Sequence, residues 1–419
     1  MPRPLLLLFL PVLACAQAID TKPYISRLEK NLTESIVAFW YPRCLDKQHG
    51  GYHLHWGAKG ERKEGTKAIV VQARMLWLSA RLARAGYRKQ EMLAAAEHGY
   101  RFLKDKMWDA ANGGFYWEVD ATGERPVRRQ KHLYGQAFGL YAVSEYAQAS
   151  GRADVRDFAI RIYQTLEAKS HDREFGGYRE FFSADWADPD PTERPYMGVA
   201  PGIKLMNTHL HLMEAVSTFY QATRHAPALA RLAELMHIES SAVVRKGATA
   251  CTDKYDRDWK PRLDGEWARV SYGHDLENIW LLVEASGAAG VSPYPMLDLF
   301  RESFAYSMRH GYDAANGGFY DSGPLMQAAD RRAKVWWVQA EALVSALTMY
   351  KLTRERAYFD VFARTLDFVE TRLTDGATGE WHAQIEPDGN ASGDKGHNWK
   401  AGYHNGRAMI ECLALLRGL

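Results

Sequence analysis

The eight residues Asp109-Ala-Ala-Asn-Gly-Gly-Phe-Tyr116 return letter for letter as Asp313-Ala-Ala-Asn-Gly-Gly-Phe-Tyr320. Shorter relatives stand at Gly50-Gly-Tyr52 and Gly176-Gly-Tyr178. The first glycines lie at 50, 113, 176 and 317, in steps of 63, 63 and 141, so the last step is about two of the others. A weaker version, Gly379-Glu-Trp381, continues the series. The chain is therefore built from a unit of about 65 residues used about six times.

Between the glycine turns the pattern is helical. Ala68 to Ala80 is apolar nearly all round, as a buried helix should be, whereas Tyr87 to Lys104 carries one apolar stripe through Leu93, Ala96, Tyr100 and Leu103. Buried helices are expected again from about Leu133, Asn207, Gly273, Lys334 and Tyr403, and an amphipathic one from about Asp154. Six such helix pairs close into a ring with the buried helices inside: an all-α (α/α)6 barrel. Short β-strands are expected in the glycine-aromatic turns that lead from outer to inner helices. An open superhelix is the rival, but neither end shows a polar capping repeat. No linker interrupts residues 19–419, which are read as one domain. The stretch Ser183 to Pro201, rich in proline, is expected to overhang a pocket mouth.

Residues 1–18 stand apart. Arg3, the apolar run Leu5 to Ala14, and Ala14-Cys-Ala16 or Ala16-Gln-Ala18 form a secretory leader with its cleavage site. Val12-Leu-Ala-Cys15 also resembles a lipoprotein box with Cys15 as the lipid anchor. Export to the periplasm or beyond is the expectation, with no membrane span in the mature chain. Cys44, Cys251 and Cys412 are too scattered for a disulfide framework or a zinc site, and are expected as small buried residues. A net charge of +2 argues against a nucleic-acid partner. Phosphate loops, nucleophile elbows and H-E-x-x-H helices are missing from the sequence.

Polar residues gather where the buried helices begin. Asn207, His211 and Glu214 form one helical stripe, with His209 facing elsewhere as a core histidine. His274 and Glu277 share a face, pairing an imidazole with an anion that tunes it, and His404 and Arg407 repeat the spacing. A helix N-terminus disfavours a charged imidazole, so His404 is expected neutral, ready to accept a proton. Arg74, in the first buried helix, needs a polar partner: either a glutamate of another inner helix or a substrate oxygen. Trp336, Trp337 and Trp399 serve as core or as stacking platforms.

Four stretches carry a resemblance: Asn207-Thr-His-Leu-His-Leu-Met-Glu-Ala215, Tyr272-Gly-His-Asp-Leu-Glu277, Lys334-Val-Trp-Trp-Val-Gln-Ala-Glu-Ala342 and Tyr403-His-Asn-Gly-Arg407. They resemble the N-acylglucosamine 2-epimerase superfamily, and within it most of all the cellobiose 2-epimerases. The resemblance implies an (α/α)6 barrel and inversion at C2 of a reducing-end sugar without metal or redox cofactor. It implies His404 and His274 as the acid/base pair and His211 as a third imidazole assisting ring opening. Arg74, Tyr134, Asn207, Glu277, Trp336, Trp337 and Trp399 are the implied sugar contacts. Imidazole suits the task because both groups must change charge near neutral pH. Aldose–ketose isomerisation, or an N-acylglucosamine substrate, stays open on the same resemblance. A glycoside hydrolase on the same barrel also stays open, since its two carboxylates would come from distant helices. The chain is expected to act as a monomer.

Overall fold

A computed structural model describes residues 19–190, 192 and 200–419; the expected leader, with Cys15, lies outside them. Outer and inner helices alternate along the chain. The first pair is α1 (Lys22–Lys30, continued by a π turn over Asn31–Val37) and α2 (Ile69–Arg84). The pattern repeats in α3 (Lys89–Phe102) and α4 (Leu133–Ser150), then α5 (Ala153–Lys169) and α6 (Met206–Thr223). It continues in α7 (Pro227–His237) and α8 (Tyr272–Ala289), α9 (Leu297–Gly311) and α10 (Trp336–Thr353), and α11 (Arg356–Phe368) and α12 (Tyr403–Arg417). Burial follows the pattern read above. α4 hides every residue from Leu133 to Ala147, whereas α9 hides only Phe300, Ser303, Phe304, Tyr306, Ser307 and Gly311.

The ring closes. α12 packs on α10 and on α2, and α1 lies against α12. Trp381 Nε1 donates to Asn31 Oδ1 at 2.9 Å, and Arg27 pairs with Glu370 at 2.6 Å, so the first helix is fastened to the last repeat. That excludes the open superhelix.

The glycine turns do lead from outer to inner helices, and their repeat extends further than the glycines. Before five of the six inner helices, a buried lysine pairs with the aspartate that opens the turn. The pairs are Lys67–Asp46, Lys131–Asp109, Lys204–Asp172, Lys334–Asp313 and Lys395–Asp375, at 2.6–3.1 Å. Five residues after the lysine, Gln72, Gln136 and Gln339 each bond both the N–H and the C=O of the turn aromatic (Tyr52, Phe115, Phe319). His209 holds the same place and accepts from Tyr178 N–H at 2.9 Å, which gives it the core role expected of it. The fourth repeat departs: Val270 stands in the lysine position and Asp275 in the glutamine position, accepting from Cys251 N–H at 2.8 Å. Gly113 and Gly114 take positive φ of 75° and 76°, and a Cβ on Gly114 would meet Trp186 at 2.5 Å, so the turn needs glycine there. Glu380 adopts φ 64° without being glycine, held by Lys400, Asn405 and Trp40 on its carboxylate. Replacing Gln136 by alanine strands a buried N–H and C=O of Phe115. A stability loss of about 1–3 kcal/mol is expected in urea unfolding. A loss within error would show that the bridge is ornamental.

Short antiparallel strands stitch each turn to the next. Lys67–Ala68 pairs with Glu118–Val119, Lys131–His132 with Phe181–Phe182, and Lys204–Leu205 with Lys254–Tyr255. Arg269–Ser271 pairs with Ser322–Pro324, and Lys334–Val335 with Gln384–Ile385. This collar gathers the N-termini of the inner helices at one end of the barrel. The stretch expected to overhang a pocket falls partly outside the described residues. Its flanks Asp188, Pro189 and Pro201 line a separate cavity of about 230 Å³, not the one that holds the imidazoles. No helix among the described residues is long and apolar enough to cross a membrane. Cys44, Cys251 and Cys412 are buried and free.

Candidate active site

At the collar end a cavity of about 490 Å³ is lined by Arg74, Tyr134, Asn207, His211, His274, Glu277, Trp336, Trp337, Trp399 and His404. These are the ten positions singled out from the sequence, brought from six inner helices and the loop before α12. Their convergence follows from the fold. Each side chain on an inner helix sits within its first two turns, and the collar places those turns side by side. Arg74, Tyr134, His211, Glu277, Trp336 and His404 are buried, while Asn207, His274, Trp337 and Trp399 keep partial exposure.

His404 is the second residue of α12. Its Nδ1–H donates to Glu341 Oε1 at 2.7 Å, which leaves Nε2 for a substrate. Burial, then Arg74 and Arg407, push this imidazole well below its ordinary range. His274 is the third residue of α8 and has no hydrogen bond among the described residues. Burial pushes it down to about 4, with Asp253 opposing. Both rings lie against Trp337, their centroids 4.7 Å (His274) and 5.9 Å (His404) from the indole. His211 pairs through Nδ1 with Glu214 at 3.1 Å and meets Tyr134 edge-on at 5.2 Å.

The expected His274–Glu277 pairing is not what the structure shows. Glu277 accepts from Arg407 Nη2 at 2.6 Å and joins the group around His404; the anion acting on His274 is Asp253. Side chains three apart share a face, but here the opposite helix supplies the stronger partner. Burial and the neighbouring Glu341 raise Glu277 to about 7. Arg407 is 1 % exposed and binds Glu214, Glu277, Glu341 and the Tyr403 hydroxyl. It holds Glu214 down to about 2 against the upward push of burial. Arg74 needs no glutamate. It donates to Trp399 O at 2.8 Å and the Tyr134 hydroxyl at 3.1 Å, and sits 4.4 Å from the Phe138 ring centroid. Its Nε and the Asn207 Oδ1 are buried without protein partners, a donor and an acceptor suited to a polar ligand.

Glu341, Arg407 and Asp253 were missed as site residues. Glu341 stands four residues after Trp337, a polar residue on the same face of a buried helix, and that was its signal. Arg407 was placed on the face of His404, but its three carboxylates come from other repeats, which spacing cannot reveal. Glu277, Glu341 and His404 bring donor atoms within 4.8 Å of one another, the one metal-ligand-like group among the described residues. Arg407 donates to both carboxylates, so they already hold a cation.

A ring of six helix pairs with histidines, a buried arginine and tryptophans at its collar defines an (α/α)6-barrel enzyme of the sugar epimerase and isomerase class. The family model described as N-acylglucosamine 2-epimerase (GlcNAc 2-epimerase) matches residues 50–408, and the chain belongs to that family. It is 29 % identical to a cellobiose 2-epimerase of Bacteroides fragilis, over 92 % of this chain and 97 % of that one. The solved cellobiose 2-epimerase of Spirochaeta thermophila superposes with a TM-score of 0.85 at 31 % identity, covering 96 % and 99 %. A D-mannose isomerase of Marinomonas mediterranea is 25 % identical over 95 % of this chain and 98 % of that one.

Proposed function

We propose that this protein inverts C2 of a reducing-end aldose, with cellobiose or a related β-1,4-linked disaccharide as substrate. The observation that carries the reading is the placement of two imidazoles, from helices of different repeats, against one indole in one cavity. The C2 proton becomes acidic only when C1 is a carbonyl, so the ring opens first, assisted by His211. His404 Nε2 then takes the proton from C2. The electron pair passes into a C1–C2 enediolate, whose oxyanion lies against Arg74. After rotation about C2–C3, His274 returns a proton to C2 from the other face and the C1 carbonyl re-forms. His274, neutral at rest, draws that proton from solvent as the negative charge of the enediolate raises its affinity for one. Asn207, Tyr134, Glu277 and the three tryptophans hold the sugar.

The roles of the two histidines follow from their surroundings. Burial, then two guanidiniums, keep His404 the neutral base with Glu341 orienting its Nδ1–H, while Asp253 opposes the burial that pushes His274 down. The hydrolase reading loses ground, because among the described residues Glu277 is the one carboxylate lining the cavity and Arg407 holds it. Ketose formation is a second reading, since the same enediolate protonated at C1 gives it, and the likeness to a D-mannose isomerase favours it as a side reaction.

The test is incubation in D2O with cellobiose, mannobiose, lactose, glucose and N-acetylglucosamine. Deuterium at C2 together with 4-O-glucosylmannose from cellobiose is expected. Absence of C2 exchange with every sugar would sink the proposal.

A further inference from the structure

The third imidazole of the cavity stands apart from the pair on Trp337. The His211 ring packs on Phe138 at 4.8 Å and meets Tyr134 edge-on at 5.2 Å, both from α4. No hydrogen bond joins it to His404 or His274 among the described residues.

Behind His211 is a carboxylate that is held from two sides. Glu214 Oε2 lies 3.1 Å from His211 Nδ1, while its Oε1 accepts from the Tyr403 hydroxyl at 3.0 Å and from Arg407 Nη1. Glu214 is buried, and the guanidinium beside it keeps it anionic. An anion on that side takes the Nδ1 proton, so Nε2 carries the lone pair. Nε2 has no protein partner among the described residues, and His211 lines the cavity. A base of fixed tautomer therefore faces the ligand space.

Against the same ring lies an acid. The Tyr134 hydroxyl accepts from Arg74 Nη2 at 3.1 Å and donates to no group among the described residues, so its proton is free for a ligand. Burial pushes this hydroxyl up to about 12, with Arg74 opposing, so it keeps its proton at neutral pH. The Arg74 cation also stands ready to steady a phenolate. A base and an acid in ring contact suit the opening of a cyclic hemiacetal, in which one takes the O1 proton as the other protonates O5.

We propose that His211 and Tyr134, with Glu214 as the positioning residue, give this protein a second activity: interconversion of the α and β anomers of a reducing sugar, with C2 untouched. The proposal rests on reading the cavity as a reducing-sugar site. His211 Nε2 takes the O1–H proton. The O1 electron pair forms the C1 carbonyl, the C1–O5 bond breaks, and O5 takes the Tyr134 proton. Rotation about C1–C2 turns the other carbonyl face to the O5 hydroxyl. Closure re-forms C1–O5, returns the O5 proton to the Tyr134 phenolate and gives O1 the proton of the His211 imidazolium. Nothing is consumed and no net proton moves. The aldehyde between the two steps is also the species whose C2 proton His404 removes, so anomer exchange is the opening half of epimerisation run without the rest.

The test uses the full chain and freshly dissolved β-cellobiose. Optical rotation follows the approach to anomeric equilibrium, and a parallel sample in D2O reads C2 exchange by NMR. Wild-type protein is expected to speed anomer exchange about 100-fold over buffer alone. His404→Ala should keep that rate within about threefold while C2 exchange is lost. His211→Ala and Glu214→Gln should fall close to the buffer rate, the latter because an amide N–H turned to Nδ1 reverses the tautomer. Glu214→Asp should recover part of the rate, a rescue that a packing role alone does not give. Where Glu214→Gln does not fold, Tyr134→Phe takes its place and should also fall close to the buffer rate. Wild-type protein that leaves the anomers at the buffer rate would overturn the proposal, as would loss of anomer exchange in folded His404→Ala or its survival in His211→Ala. Wild-type protein that exchanges anomers without deuterium entering C2 would instead overturn the epimerase reading and leave this one standing.

Discussion

Replacing His404 by alanine is expected to abolish both C2 exchange and epimer formation from the aldose, a fall in kcat of about 10³-fold or more. The fold should survive the change. Glu341 keeps Arg407 at 2.8 Å and Trp280 Nε1 at 3.0 Å, so no carboxylate is stranded. The companion His274→Ala gives the sharper reading. It removes the proton donor on the far face but leaves the base, so deuterium should still enter C2 of the starting sugar while the epimer disappears. If the two variants behave alike, losing exchange and inversion together, the division of labour between the rings is wrong. If both retain epimerisation, the imidazoles are not the acid and base.

Arg407→Met carries the second large effect, on stability. The side chain is buried, with ring centroids of Trp280 and Tyr403 4.7 and 4.5 Å from Cζ and three glutamates from α6, α8 and α10 on its nitrogens. Methionine fills much of the space but leaves those carboxylates with no cation. Breaking a buried pair from one side costs about 3–5 kcal/mol, and here three partners share the loss. Urea unfolding should show a fall of that order, or an enzyme that does not fold. Adding Glu277→Gln and Glu341→Gln should recover part of it, because neutral amides bear burial better than unpaired carboxylates. A loss below about 1 kcal/mol in Arg407→Met would mean that the glutamates are already protonated and need no counter-charge.

The ring was legible because it is written six times. The Asp109 and Asp313 octapeptides, the spacing of the glycines and the alternation of fully apolar with striped helices each follow from one local rule repeated. The cavity was legible to the same extent, since polar letters at the starts of apolar helices have nowhere to go but a shared polar space. The pairings inside that space were not. Glu277 was given to His274 on spacing along one helix, whereas Arg407, 130 residues away, claims it. Distances across the axis are set by the closed ring, and no interval along the chain encodes them. The lysine–aspartate clamps were hidden for a related reason. Four of the five lysines follow their aspartate by 20 to 22 residues and Lys204 follows Asp172 by 32, but an interval along the chain does not say that its two ends meet inside a buried turn.

Five of the six hairpins are fastened at the collar by the same ionic rivet, and the fourth is not. Val270 offers only methyl groups where its counterparts carry an ammonium, so the start of α8 lacks that buried rivet and is tied by the Cys251–Asp275 hydrogen bond and the more exposed Arg269–Asp330 ion pair. A toroid with one unlike station out of six is expected to open unevenly around its circumference, which amide hydrogen exchange would read. The unlike station lies beneath His274, on the side where the second proton arrives.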